Sequence, residues 1–186
     1  FNQAELSTSG VDFEIAYGVP IEEFGIPGEL NINSLVNYTD KLERVDVPGP
    51  AAIAVDYAGY SMGGGTPKLT GTFGVNYALD GLRVGLRARV FSEIRYDPSL
   101  IGPDEDGYSP TLPNSINVNR FPSVPYFFIN SSYDFAVGEA KMQLFGAIDN
   151  LLNRQPPILA IAALNSGGNP YDYVGRNFKV GLRFQW

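Results

Sequence analysis

The stretch YDYVGRNFKVGLRFQW, Tyr171–Trp186, decides how the rest of the chain is read. Every second residue from Val174 gives Val174, Arg176, Phe178, Val180, Leu182, Phe184 and Trp186, apolar throughout except at Arg176. Between them stand Gly175, Asn177, Lys179, Gly181, Arg183 and Gln185, all small or polar. A period of two marks a β-strand with one apolar and one polar face, and this run exceeds the usual five or six residues. The sequence closes on an aromatic. A long amphipathic strand in that place suggests an outer-membrane β-barrel, an expectation that the other segments test.

Composition narrows the choice. Of 186 residues, 44% are hydrophobic and only 18% charged, against about 25% charged in soluble domains. A helical membrane protein needs runs of about twenty apolar residues. The longest candidate here, Pro156–Leu164, is far shorter, so a membrane would be crossed by strands. With no cysteine and no histidine, disulfides, thiolate sites, His-based triads and the commonest zinc sets are excluded. A net charge of −7 argues against nucleic acid as a partner. The sequence opens at Phe1 in mid-pattern, so a barrel's secretory leader is expected to have been cleaved or to lie outside it.

Seven segments alternate, and none has a helical period. The first spans about Gly10–Val19, with Val11, Phe13, Ile15 and Tyr17 on one face and Asp12 and Glu14 on the other. The second, Glu29–Leu42, follows the turn-rich PIEEFGIPG. After a Gly/Pro-rich loop comes Lys68–Leu79, then the hairpin signal Asp80-Gly81. The fourth, from Leu82 through Ile94 and Arg95, sets Leu82, Val84, Leu86, Ala88, Val90 and Ile94 against Arg83, Arg87, Arg89, Glu93 and Arg95. A polar loop, Tyr96–Pro122, precedes the fifth, Ser123–Phe135. A turn at Val137-Gly138-Glu139 leads to the sixth, Ala140–Asp149. A third loop, Asn150–Pro170, returns the chain to the last.

Connections alternate between short and long, as in outer-membrane barrels with periplasmic turns and extracellular loops. Trp186 is placed at the periplasmic rim, so segments one, three, five and seven descend toward it. Each should then carry an outward aromatic near its lower end. Tyr17, Tyr77, Tyr133 with Phe135, and Phe184 with Trp186 meet that condition. Bacterial single-chain barrels have even strand numbers, and seven strands leave two open edges. Residues 1–186 are therefore expected to be the C-terminal part of a larger barrel.

LFGAIDNLLNRQPP, a loop, and then YDYVGRNFKVGLRFQW resemble the C-terminal end of TonB-dependent outer-membrane receptors. FGIPGELNINSLVNYT and PKLTGTFGVNYALDGLRVGLRARV resemble the preceding hairpins, so the likeness runs from about Gly10 to Trp186. It implies the last seven strands of a 22-stranded plugged barrel, with no plug domain in this stretch. It also implies import of a siderophore, cobalamin or carbohydrate, driven by the inner-membrane TonB complex through N-terminal parts not present here. Phe184 and Trp186 would be the assembly signal for the barrel-assembly machinery, although Phe is the commoner last residue in the family. Outer-membrane lipid and a small-molecule ligand would be the other partners. Alternatives are a passive porin-like channel and a soluble β-sandwich binding module.

Candidate ligand-facing residues follow from that geometry. Arg83, Arg87, Arg89 and Arg95 would point into the lumen as a basic ladder for anions, or as ion-pair partners of groups such as Glu93. The loop tyrosines Tyr57, Tyr60, Tyr108 and Tyr171 suit stacking on a ligand or packing of the loops. Asp104-Glu105-Asp106 lacks the alternation of a calcium loop, so no metal or cofactor site is expected. The sequons at Asn37 and Asn130 fall inside strands and are discounted. Without a histidine base or a forced carboxylate pair, no catalytic residue is expected.

Overall fold

The structure, a computed structural model, describes residues 5–45, 52–157 and 170–185. Its strands are β1 (Glu5–Val19), β2 (Glu29–Val45), β3 (Ala54–Asp56), β4 (Leu69–Leu79), β5 (Leu82–Phe91), β6 (Ile94–Arg95), β7 (Arg120–Phe121), β8 (Tyr126–Val137), β9 (Ala140–Asp149) and β10 (Asn177–Gln185). Seven of them form one antiparallel sheet in the order β1-β2-β4-β5-β8-β9-β10, with β3 beside β2. These seven are the alternating segments of the sequence. Among the described residues the sheet is open, with β1 and β10 as its edges.

The register explains why the alternation is uniform. Tyr17 opposes Ile32, Ile32 opposes Val75, Val75 opposes Leu86, Leu86 opposes Ile129, and Ile129 opposes Ile148. The alternating apolar positions therefore share one face, from Val11 on β1 to Phe184 on β10. A slip of one residue anywhere would turn a strand inside out. The single irregularity in the β1–β2 pairing is a bulge where Ser9 pairs with Lys41 but Gly10 pairs with Thr39. A Cβ at Gly10 would collide with the Tyr38 carbonyl oxygen, so that position takes glycine.

Turns gather at one end. Leu79 pairs with Leu82 across Asp80-Gly81, and Val137 pairs with Ala140 across Gly138-Glu139. Asp80 carries the positive φ of its turn, 50°. Gly81 is needed for a different reason. A Cβ there would strike the Asp134 carbonyl oxygen of β8, whose N–H donates to Gly81 O at 2.9 Å.

Several boundaries differ from the sequence expectation: β2 runs on to Val45, β4 begins at Leu69, and β8 spans Tyr126–Val137 in place of Ser123–Phe135. Three further differences have a visible cause. β1 begins at Glu5, not Gly10, because β2 continues to Val45 and supplies partners. β10 begins at Asn177, since Val174 lies in a turn where its N–H donates to Asp172 Oδ1 at 2.9 Å. The fourth segment stops at Phe91, because Thr70–Phe91 is the last β4–β5 pair. Ile94 therefore leaves the apolar sheet face.

Ile94 joins Phe91, Tyr96, Phe121, Tyr126 and Tyr171 in a buried cluster at the loop end, packed by Leu100, Ile116, Val124 and Phe128. The segment expected to be a polar loop, Tyr96–Pro122, folds into a lobe with this core and the β6–β7 ribbon. The first long loop is stitched to it: Ser61 N–H donates to Arg95 O at 2.8 Å and Met62 N–H to Tyr96 O at 2.9 Å.

Candidate functional site

Two regions hold the chemistry: the polar face of the sheet and the lobe above it. On the polar face, period two sends Arg83, Arg87 and Arg89 of β5 to one side. Arg83 pairs ionically with Asp134 of β8. Asp134 also accepts from Gln143 Nε2 of β9 at 2.7 Å, and Gln143 Oε1 accepts from Arg183 Nη1 of β10 at 3.0 Å. Four strands are thereby laced across the turn-side half of this face. The guanidinium of Arg87 lies 4.7 Å from the ring centre of Phe128, and that of Arg89 lies 5.2 Å from Tyr126. Arg89 also donates to Pro170 O at 3.0 Å.

Arg95 does not continue the ladder. It sits on β6 in the lobe, where it meets Glu105 at 2.8 Å. Glu93 pairs with Arg120 instead, at 3.0 Å, and Arg120 also holds Asp104 at 2.7 Å. The acidic run is thus organised by two arginines, and among the described residues no group of His, Cys, Asp or Glu could hold a metal. Glu105 further accepts from the Gly102 N–H at 2.6 Å and from Asn119 Nδ2 at 3.0 Å. Burial alone would raise its pKa. The bonds from Asn119 and Gly102, with the charges of Arg95 and Arg120, outweigh that and hold the carboxyl below its ordinary value. Asp56 behaves similarly, with burial opposed by N–H donors from Leu42 and Ala58 and by Lys68 and Lys41.

No family model, curated protein or solved structure matches this chain. Function has to be read from the placement of its own residues.

The tyrosines separate into two groups. Tyr57 and Tyr60 are half-buried on the first loop, and Tyr108 is half-buried at the lobe's tip. Tyr57 stacks under the Arg44 guanidinium, 4.5 Å from its ring centre, and accepts from Arg44 Nη2 at 3.3 Å. Tyr171 is 6% exposed. Its ring packs edge-on to Phe91 at 5.2 Å and its hydroxyl donates to Pro122 O at 2.5 Å. Burial, with Tyr126 and Tyr173 nearby, pushes that hydroxyl well above the ordinary phenol range. Tyr171 is thus a core residue of the lobe and leaves the ligand-facing set.

Around it, Asp172 N–H donates to Tyr126 Oη at 3.0 Å, and Asp172 Oδ2 accepts from the buried Asn150 at 3.1 Å. Phe184 lies on the exposed apolar face opposite Met142. Trp186 lies outside the described residues.

Some of these partners are not among the residues the sequence singles out. The Asp134–Gln143 bond follows from the Gly138-Glu139 turn, because a two-residue connection pairing Val137 with Ala140 also pairs Asp134 with Gln143. That signal is present in the sequence. Arg120 and Asn119, which organise the lobe, sit in a stretch without periodicity, and nothing local marks them.

Proposed function

We propose that this chain forms the C-terminal sector of an outer-membrane β-barrel of the TonB-dependent receptor type, binding an external ligand and importing it without chemical change. One observation supports the membrane part: seven adjacent strands share one continuous, exposed apolar face. Val180 is 82% exposed, Val11 66%, Phe178 65% and Phe13 56%. Exposed apolar patches on soluble monomers seldom exceed a few hundred Å². A face seven strands wide needs cover, and lipid covers it without a second protein layer.

Further support comes from dimensions. The seven strands have from nine to seventeen residues, whereas crossing a bilayer takes about nine to eleven in a tilted strand. Tyr17, Tyr77, Tyr133, Phe135 and Phe184 line the turn end of the apolar face, where an interfacial belt belongs. Tyr77 donates its hydroxyl to Pro27 O at 2.8 Å, apolar body outward and polar tip toward the rim. Edge strands β1 and β10 suit continuation into a larger barrel of the 22-stranded kind, since open edges are untenable in lipid. The receptor identity rests on the motif resemblance.

The test has two parts. The protein should fractionate with the outer membrane and leave it only with detergent. Cells lacking it should lose uptake of one siderophore, cobalamin or carbohydrate, and collapsing the inner-membrane proton gradient should abolish that uptake in wild-type cells. Uptake indifferent to the gradient would instead mark a passive channel.

A further inference from the structure

The middle of the polar face holds a cavity that the ion-pair network leaves open. The register sets Asn76, Gly85 and Asn130 in one row, with Asn33, Gly74, Arg87 and Phe128 in the next. The two glycines are its floor. A Cβ at Gly85 would collide with the amide oxygens of Asn130 and Asn76, and one at Gly74 with that of Asn33. Asn76 Nδ2 donates to Asn33 Oδ1 at 3.3 Å, tying two of the amides across the floor. The pocket is open on one side and its volume is about 350 Å³, within the roughly 300–1,000 Å³ of small-ligand sites.

Its charge is uneven. Asp149 on the lining is already held by Lys179 at 2.7 Å. Arg87 has no carboxylate partner among the described residues, whereas Arg83 and Arg95 each have one and Arg120 has two. Stacking on Phe128 fixes the guanidinium plane and leaves its N–H edge to offer the fork that matches a carboxylate. The amide NH2 groups of Asn33 and Asn130 add further donors, and that of Asn76 keeps one N–H beyond its bond to Asn33. One cation without a carboxylate partner stands beside three asparagine amides whose oxygens close over the two glycines and whose NH2 groups are the donors. That arrangement selects a small anion able to accept hydrogen bonds.

We propose that this glycine-floored cavity binds a small free carboxylate, with Arg87 as its two-pronged anchor and Asn33, Asn76 and Asn130 donating around it. The assignment rests its biological use on the transport reading and deepens it by naming the ligand class. Succinate is the probe, titrated calorimetrically into the purified natural protein in detergent, with sodium chloride at equal ionic strength as control.

Saturable binding beyond the chloride control is expected, with shifts in the side-chain amide resonances of Asn33, Asn76 and Asn130. Losing one charge-assisted anchor in Arg87→Gln should weaken it roughly 10- to 100-fold. Should Arg87→Gln not fold, Arg87→Lys keeps the charge without the fork and should still bind several-fold more weakly. Absence of succinate binding to the wild-type protein overturns the proposal, and so does unchanged affinity in the Arg87 variant. Because binding is read without a membrane gradient, a failed uptake assay leaves it standing, and a failed titration leaves the membrane reading standing.

Discussion

Glu105 shows how one side chain organises an aperiodic segment. It binds the Gly102 N–H, Asn119 and Arg95 together, and its carboxyl titrates below the ordinary 4.5. Because the folded pKa is depressed, the stability it contributes is present above that ordinary value and lost as pH falls through the folded one. Wild-type protein should therefore lose protease protection of the lobe on acidification below about pH 4.5. Glu105→Gln should already be susceptible at neutral pH and change less on acidification. Limited proteolysis across pH reads both; a variant as resistant as wild type at neutral pH would remove Glu105 from this role. Tyr171 allows a second test at this scale. Tyr171→Phe removes the hydroxyl that donates to Pro122 O and keeps the ring, and should cost about 1 kcal/mol. Tyr171→Ala also removes the ring packed on Phe91 and should cost roughly 3–5 kcal/mol. Thermal unfolding in detergent separates the two.

Among the elements, the seven long strands are legible in the sequence because each shows one face to a uniform surface, so polarity alternates with the backbone. β9 is legible to the residue, since turn glycines or asparagines flank it. The lobe is not legible. Its core draws Phe91, Ile94, Tyr96, Phe121, Tyr126 and Tyr171 from three separate stretches, and no local period links them. Ile94 is instructive: its parity matches the apolar face, yet the sheet runs out of β4 partners three residues earlier, and burial inside the lobe wins. The polar face is half legible. Parity places Arg83, Arg87 and Arg89 together, but only cross-strand register shows that Arg83 meets Asp134 while Arg87 meets Phe128. If the lobe is one packed unit, Ile94→Ser, at a position 1% exposed, should cost about 2–4 kcal/mol. The damage should appear as faster exchange of amides across residues 94–121, with the β8–β9 ladder unaffected. Uniform destabilisation of sheet and lobe alike would refute that independence.

At the scale of the whole molecule, the open question is what covers the apolar face, and paired substitutions answer it directly. Leu86 sits at the middle of β5 on that face, between Val75 and Ile129. Leu35 of β2 sits on the opposite face, between Glu14 and Thr72. Both are leucines and both are about half exposed, 43% and 51%, so the same change to arginine makes the same chemical demand at each. In water the two would behave alike, apart from a small gain at Leu35 from the neighbouring Glu14 carboxylate. In lipid they diverge. Arginine at Leu86 would stand near the bilayer midplane and should cost roughly 2–4 kcal/mol, while arginine at Leu35 would stand in a polar interior and cost little. The measurement is refolding into phospholipid vesicles, with denaturant titration of each variant against wild type. Equal stabilities for Leu86→Arg and Leu35→Arg would mean that lipid does not cover the apolar face, and the barrel reading would fall with it.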